Sequence, residues 1–258
     1  MDAILRMLGD RGDNVLVENF CYVRPLSQLP LSLSLSLRRT EPTLSLLCIM
    51  LGFQPGTLSG LVPMGLKPIP VALDAEGMVP SDMDRVLDEW DSAKQGKKPR
   101  FVLIVPSGQN PSGTTMQAAR RKEFYAVAQE HNLIIVSDDP YRALVLSHES
   151  ETPVEAAPSF LSLDVDGRVL DISSFSKVVA PGCRTGWVTG PKPLIERILR
   201  RNEVTTQAVS GFSQSAITSF LGALGGQDGW DKYLAHVAKQ VRPRLAPQLT
   251  NREIASRG

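Results

Sequence analysis

The chain has 258 residues, 42% of them hydrophobic and 21% charged, with a formal net charge of +1. This is the composition of an ordinary soluble protein of one large or two small domains, and so even a charge balance excludes any argument for nucleic acid or an acidic membrane as partner. Cys21, Cys48 and Cys183 lack paired spacing and His131, His148 and His236 lack metal-ligand spacing, so we expect a reduced, cytoplasmic protein without disulfides or metal.

In chain order, the opening residues carry acids early and lack the apolar run of a signal peptide. Asn14–Glu18 reads as a strand after the turn signal Gly12-Asp13. Residues 26–37, LSQLPLSLSLSL, alternate leucine with serine and could form an amphipathic strand, yet nothing in the flanks offers it a partner. The apolar stretch 43–53 is too short for a bilayer core of about 30 Å. Residues 68–73 read as a second strand weakened by prolines. Phe101–Val105 is a third, apolar throughout as expected of a strand covered on both faces. Met116–His131 reads as a helix, with Phe124, Val127, Ala128 and His131 on one stripe. Leu133–Val136 and Val169–Ile172 follow as strands, then helices over 194–203, 213–224 and 230–239. Residues 241–258 are basic, hold two prolines and are expected to fray. Strands alternating with helices predict an α/β fold whose mostly parallel sheet is flanked by helices, with ligands at the carboxyl ends of its strands.

Three loops at those carboxyl ends carry chemistry. The third strand runs into Pro106-Ser107-Gly108-Gln109-Asn110-Pro111-Ser112-Gly113, stiff enough to present the Asn110 amide at a fixed angle. The fourth runs into Ser137-Asp138-Asp139-Pro140-Tyr141, where a carboxylate can keep a pyridinium nitrogen protonated. The fifth runs into Ser173-Ser174-Phe175-Ser176-Lys177, with Arg184 seven residues on. A lysine whose amine is activated by burial or a nearby cation condenses with an aldehyde, and serines with an arginine bind phosphate. Gly182 and Gly186 bracket Arg184, as suits a loop drawn close to a ligand. Tyr22, beyond the first strand, could stack on a ring. Singly, each residue has an ordinary reading as a turn, a solvated lysine or a half-buried aromatic. Together, and in this order, they match the needs of pyridoxal phosphate.

With those motifs, the chain resembles the class I aminotransferases of fold type I, and within them the fungal aromatic-amino-acid and 2-aminoadipate transaminase group. The resemblance covers residues 2–22 and 55–240. It implies that Lys177 binds the cofactor aldehyde covalently and shuttles the substrate proton. It implies further that Asp138 pairs with the pyridine nitrogen, that Asn110 and Tyr141 bind the phenolic oxygen, and that Tyr22 stacks on the ring. Ser174, Ser176 and Arg184 would hold the phosphate. The implied reaction moves an amino group from an amino acid, aromatic or 2-aminoadipate-like, to a 2-oxo acid, in a homodimer. An inactive fragment of this fold, or another fold type I enzyme such as a lyase or decarboxylase, stays open.

The resemblance also implies organisation. Residues 1–210 would form the cofactor-binding large domain, and 211–258 would lead towards a small domain that this sequence largely lacks, together with its substrate-carboxylate arginine. An upstream phosphate-binding turn is likewise expected but missing, with Met1–Leu5 starting inside the helix that follows it. Val23–Gln54 matches nothing in the family pattern. Valine codons begin GT and one glutamine codon ends AG, so these thirty-two residues fit a translated intron of whole codons. A genuine surface loop is the alternative, tolerable at modest entropic cost.

Overall fold

The structure is a computed structural model that describes residues 1–19, 60–145 and 157–240. Tyr22, Cys21, Cys48, His148, the segment Val23–Gln54 and the basic tail 241–258 lie outside the described residues. A six-stranded sheet is built from β1 (Asn14–Glu18), β2 (Lys67–Val71), β5 (Phe101–Ile104), β6 (Ile134–Asp138), β7 (Val169–Ser174) and β8 (Gly186–Thr189) in the order β2-β1-β5-β6-β7-β8. All pairings are parallel except β7 with β8. A two-stranded hairpin, β3 (Leu73–Asp74) with β4 (Gly77–Met78), stands apart.

Period-two alternation in the strands separates two cores. Leu16, Val102, Ile104, Ile135 and Val169 face one side, where α2 (Pro80–Asp88), α4 (Ala118–Glu130) and α5 (Phe160–Leu163) cover them. Val15, Val17, Phe101, Leu103, Val136 and Leu170 face the other, against α1 (Asp2–Leu8) and α6 (Lys192–Val204). The short helix α3 (Ser92–Gln95) lies between α2 and β5 in the chain, and α7 (Gly211–Leu224) and a helix over 227–240 follow α6. Both faces being covered explains why β5 contains no polar residue.

The expected strands and helices are present with small shifts of boundary. The second strand spans Lys67–Val71, and it tolerates Pro68 and Pro70 because β2 is at the edge of the sheet. The helix expected from Met116 begins only at Ala118, since the Met116 N–H bonds to Pro106 O and closes the preceding loop. The strand β8 has no expectation behind it: it is short, and Gly186-Trp187-Val188-Thr189 shows neither alternation nor an apolar run.

The order of strands fixes the site. From β1 the chain steps outward to β2, then returns to the far side of β1 to form β5, β6 and β7. The reversal between β1 and β5 is a topological switch point, where loops diverge and open a crevice at the carboxyl ends.

Candidate active site

The tips of β5, β6 and β7 stand side by side and bring together the three motif loops. The first loop approaches the second at Gly108. This residue has φ +54, which favours glycine, and an added Cβ there would lie in contact with the Tyr141 Cβ at 3.4 Å. The second loop approaches the third where Lys177 Nζ sits 5.2 Å from the centroid of the Tyr141 ring. Asp138 and Lys177 attract one another electrostatically. Asp138, Tyr141 and Lys177 are therefore neighbours, and the loop that carries Asn110 meets them through Gly108.

Among the described residues, the Asn110 amide, the Asp138 carboxylate, the Tyr141 hydroxyl and the Lys177 amine make no hydrogen bond to protein. Asp138 is half-buried, and burial pushes its carboxyl above the ordinary aspartate value. The Met1 amino group opposes that rise, Asp139 adds to it, and Lys177 opposes it in turn. A carboxylate with no donor at the end of a buried strand suits a cationic ring N–H. Lys177 is exposed, so the covered setting expected for its amine is not formed by the described residues.

The serines form a turn of their own. Ser174 Oγ accepts the Ser176 N–H at 3.0 Å, donates to Thr185 O at 3.1 Å and lies 2.9 Å from Ser176 Oγ. Arg184 adjoins this turn in the chain but does not bond to it. Its Nη1 donates to Pro181 O at 3.1 Å, and the residue is exposed with a left-handed backbone, φ 46 and ψ 36. The bracketing glycines have a different basis from the one expected. Gly182 has open space at its Cβ position, whereas a Cβ on Gly186 would meet Ser173 O at 2.7 Å. Gly186 is required by the close approach of β8 to β7, and the unusual backbone falls on Arg184 itself.

Two charged residues that the motifs did not single out hold the loops. Arg121, 1% exposed, donates from Nε to Met116 O at 2.9 Å and from Nη2 to Pro106 O at 3.2 Å and Ser107 Oγ at 3.0 Å. Its Nη1 reaches Pro158 O at 3.3 Å and stands 3.7 Å from Asp139 Oδ2. One buried guanidinium thus ties the Asn110 loop to the Asp138 loop. In sequence it sits in Arg120-Arg121-Lys122, which looks like a solvated run of charge. Glu18, at the tip of β1, is also buried. Its Oε1 accepts the Val105 N–H at 3.2 Å and its Oε2 accepts from Gln109 Nε2 at 3.0 Å. Burial pushes Glu18 up to about 7, with the bonds from Gln109 and Val105 opposing and Asp138 adding to the rise. An acid closing an apolar strand was the available signal for it.

Away from the cleft, Asp84, Asp88 and His131 gather with ligand atoms within 4.8 Å, a grouping the spacing of the histidines does not reveal. The ring is engaged on both sides, Nε2 with Asp84 at 2.7 Å and Nδ1 with Lys98 at 3.3 Å. No helix among the described residues is long and apolar enough to cross a membrane.

A mostly parallel sheet between helical layers, with a lysine, an aspartate and an asparagine at adjoining strand tips, defines the large domain of a fold type I pyridoxal-phosphate protein. Residues 59–249 match the family described as aminotransferase class I and II, and the chain belongs to that family. An aromatic amino acid aminotransferase of Schizosaccharomyces pombe is 37% identical over 251 residues, covering 92% of this chain and 46% of that protein. The kynurenine/alpha-aminoadipate aminotransferase, mitochondrial, of Bos taurus is 38% identical over 190 residues, covering 72% of this chain and 42% of that protein. The crystal structure of aminotransferase Aro8 from Candida albicans superposes with a TM-score of 0.74 at 29% identity, covering 93% of this chain and 45% of that one. The chain therefore spans about half the length of the proteins it matches.

Proposed function

We propose that this chain carries the cofactor-binding half of an aminotransferase that moves an amino group from an aromatic or 2-aminoadipate-like amino acid to a 2-oxo acid. The observation that carries the reading is the set of four polar groups at adjoining strand tips, none bonded to protein among the described residues, whose chemistry matches pyridoxal phosphate. When bound, that cofactor supplies an aldehyde that takes an amine and a ring that accepts the electron pair left at a substrate carbon.

Each residue then has one task. The Asp138 carboxylate holds a proton at the pyridine nitrogen, and the rise caused by its burial is offset there by a cationic partner. The Asn110 amide and the Tyr141 hydroxyl donate to the phenolic oxygen. The Lys177 amine would hold the cofactor through its aldehyde and would serve as the base and acid that moves the substrate proton. The Ser176 hydroxyl and the exposed Arg184 guanidinium bind phosphate, Arg184 after leaving Pro181 O. Tyr22 would stack on the ring.

We propose a homodimer for the whole protein. Support comes from the apolar side chains that α6 and α7 present to solvent, such as Phe212, 91% exposed. A second reading, cofactor binding with poor turnover by this chain alone, is favoured by the exposure of Lys177.

Titration with pyridoxal phosphate, followed by visible absorbance, tests the first claim: a saturable band lost in Lys177→Ala supports it, and the same band in both removes it. Adding an aromatic amino acid and a 2-oxo acid separates the rest. A new amino acid in the product supports transamination, whereas release of ammonia or carbon dioxide identifies a lyase or decarboxylase.

A further inference from the structure

We infer that Glu18 is a positioning residue for the Asn110 loop, acting through Gln109 across the switch point between β1 and β5. The inference rests on the reading of Asn110 as a cofactor ligand and goes beyond it by naming what aims that side chain.

Hydrogen-bond directions fix the argument. Gln109 Oε1 is occupied twice, accepting from Ser112 N–H at 3.0 Å and from Ser112 Oγ at 2.6 Å. Its amide group must therefore point Nε2 at Glu18, and Glu18 must accept. The other Glu18 oxygen is taken by the Val105 N–H at the tip of β5. Gln109 itself is buried, and its backbone closes the loop, receiving Gly113 N–H on O at 2.6 Å and donating N–H to Thr114 O at 2.8 Å. Asn110 is the next residue and is exposed. The loop is thus pinned at Gln109 by the Glu18 carboxylate, one residue before the amide it presents, while Arg121 holds its two ends. No other side chain bonds to Gln109 from outside the loop among the described residues.

The pair can be exchanged without loss of any bond. In the double variant Glu18→Gln/Gln109→Glu, the side chain at 18 still accepts from Val105 N–H and now donates to position 109. The carboxylate at 109 still accepts both bonds from Ser112. In Glu18→Gln alone, the single amide oxygen cannot serve both Val105 N–H and Gln109 Nε2; the backbone donor is fixed at a strand tip and keeps it, so the Gln109 NH2 faces a second NH2 and loses its acceptor.

Amide hydrogen exchange on the cofactor-free chain reads the clamp directly. For Glu18→Gln we expect exchange at Gln109, Ser112 and Gly113 to quicken about tenfold, from the loss of one buried hydrogen bond, with Val102 and Ile135 in the central strands unchanged. The exchanged pair restores the loop. Pyridoxal phosphate, added to the same proteins, should bind about tenfold more weakly to the single variant and recover in the double. An unchanged loop in the single variant overturns the inference. So does equal quickening of loop and central strands, which marks a purely structural role. If Glu18→Gln fails to fold, the exchanged pair decides: loop protection and affinity equal to the wild type support the clamp, and loss of loop protection overturns it. Failure of the wild type to bind the cofactor counts against the proposed function alone, because the exchange measurement needs no cofactor.

Discussion

The strand tips and the helical layer that follows β8 are opposite kinds of unfinished surface. At the tips, polar groups lack partners while Arg121 and Glu18 lock the loops from below. In the helical layer the unpartnered groups are apolar. Phe212 is 91% exposed, Val204 83% and Leu199 54%, and α6 and α7 bury only Ile198 and Ile217 deeply. Exposed polar groups aimed from a rigid frame, such as Asn110 and Lys177, are solvated at little cost until a ligand takes the place of water. Apolar groups in water are a standing cost that only a covering surface removes. Among the described residues, one region is held from within and the other lacks cover.

Four measurements would break or sharpen that contrast. The largest effect is expected at the tips. Lys177→Ala should abolish covalent attachment of pyridoxal phosphate altogether while leaving the unfolding transition in place, as checked by absorbance and circular dichroism. Beneath the tips, Arg121→Met should destabilise the fold by about 3–5 kcal/mol in urea titration, because Asp139 is left buried without its cation. A loss below about 1 kcal/mol would mean that the frame is not what holds the loops.

The third measurement concerns pH. The Glu18 carboxyl is raised from 4.5 to about 7 by burial. Between those values the folded chain holds a proton that the unfolded chain releases. Stability from this group is therefore full below the unfolded value and is lost as pH rises towards 7. Relative to Glu18→Gln, the wild type should lose about 3 kcal/mol of stability over that window, and a flat difference would contradict the burial argument. The smallest effect belongs to the other region. Phe212→Ser should change unfolding free energy by no more than about 0.5 kcal/mol, yet reduce self-association in sedimentation. A large loss of stability would show that Phe212 already has cover.

The contrast also explains what was legible in the sequence. The strand tips were, because Asn110, Asp138 and Lys177 each follow an apolar run whose end can be seen, and parallel order places such ends together. The frame was not. Arg121 hides in a basic run, and its burial depends on carbonyls from 106, 116 and 158 that only the fold assembles. Glu18 was read as the last residue of a strand, without its partner ninety-one positions away. The strand β8 escaped notice since its pairing with β7 is antiparallel and its four residues carry no pattern. Arg184 was expected beside the serines, and the left-handed turn at its own backbone directs it to Pro181 instead.

The central claim is that one amine, that of Lys177, receives the cofactor. Incubation with pyridoxal phosphate, reduction with borohydride and peptide mapping by mass spectrometry test it most directly. The account predicts a single modified lysine at position 177. Modification spread over other lysines, or confined to one of them, would contradict it.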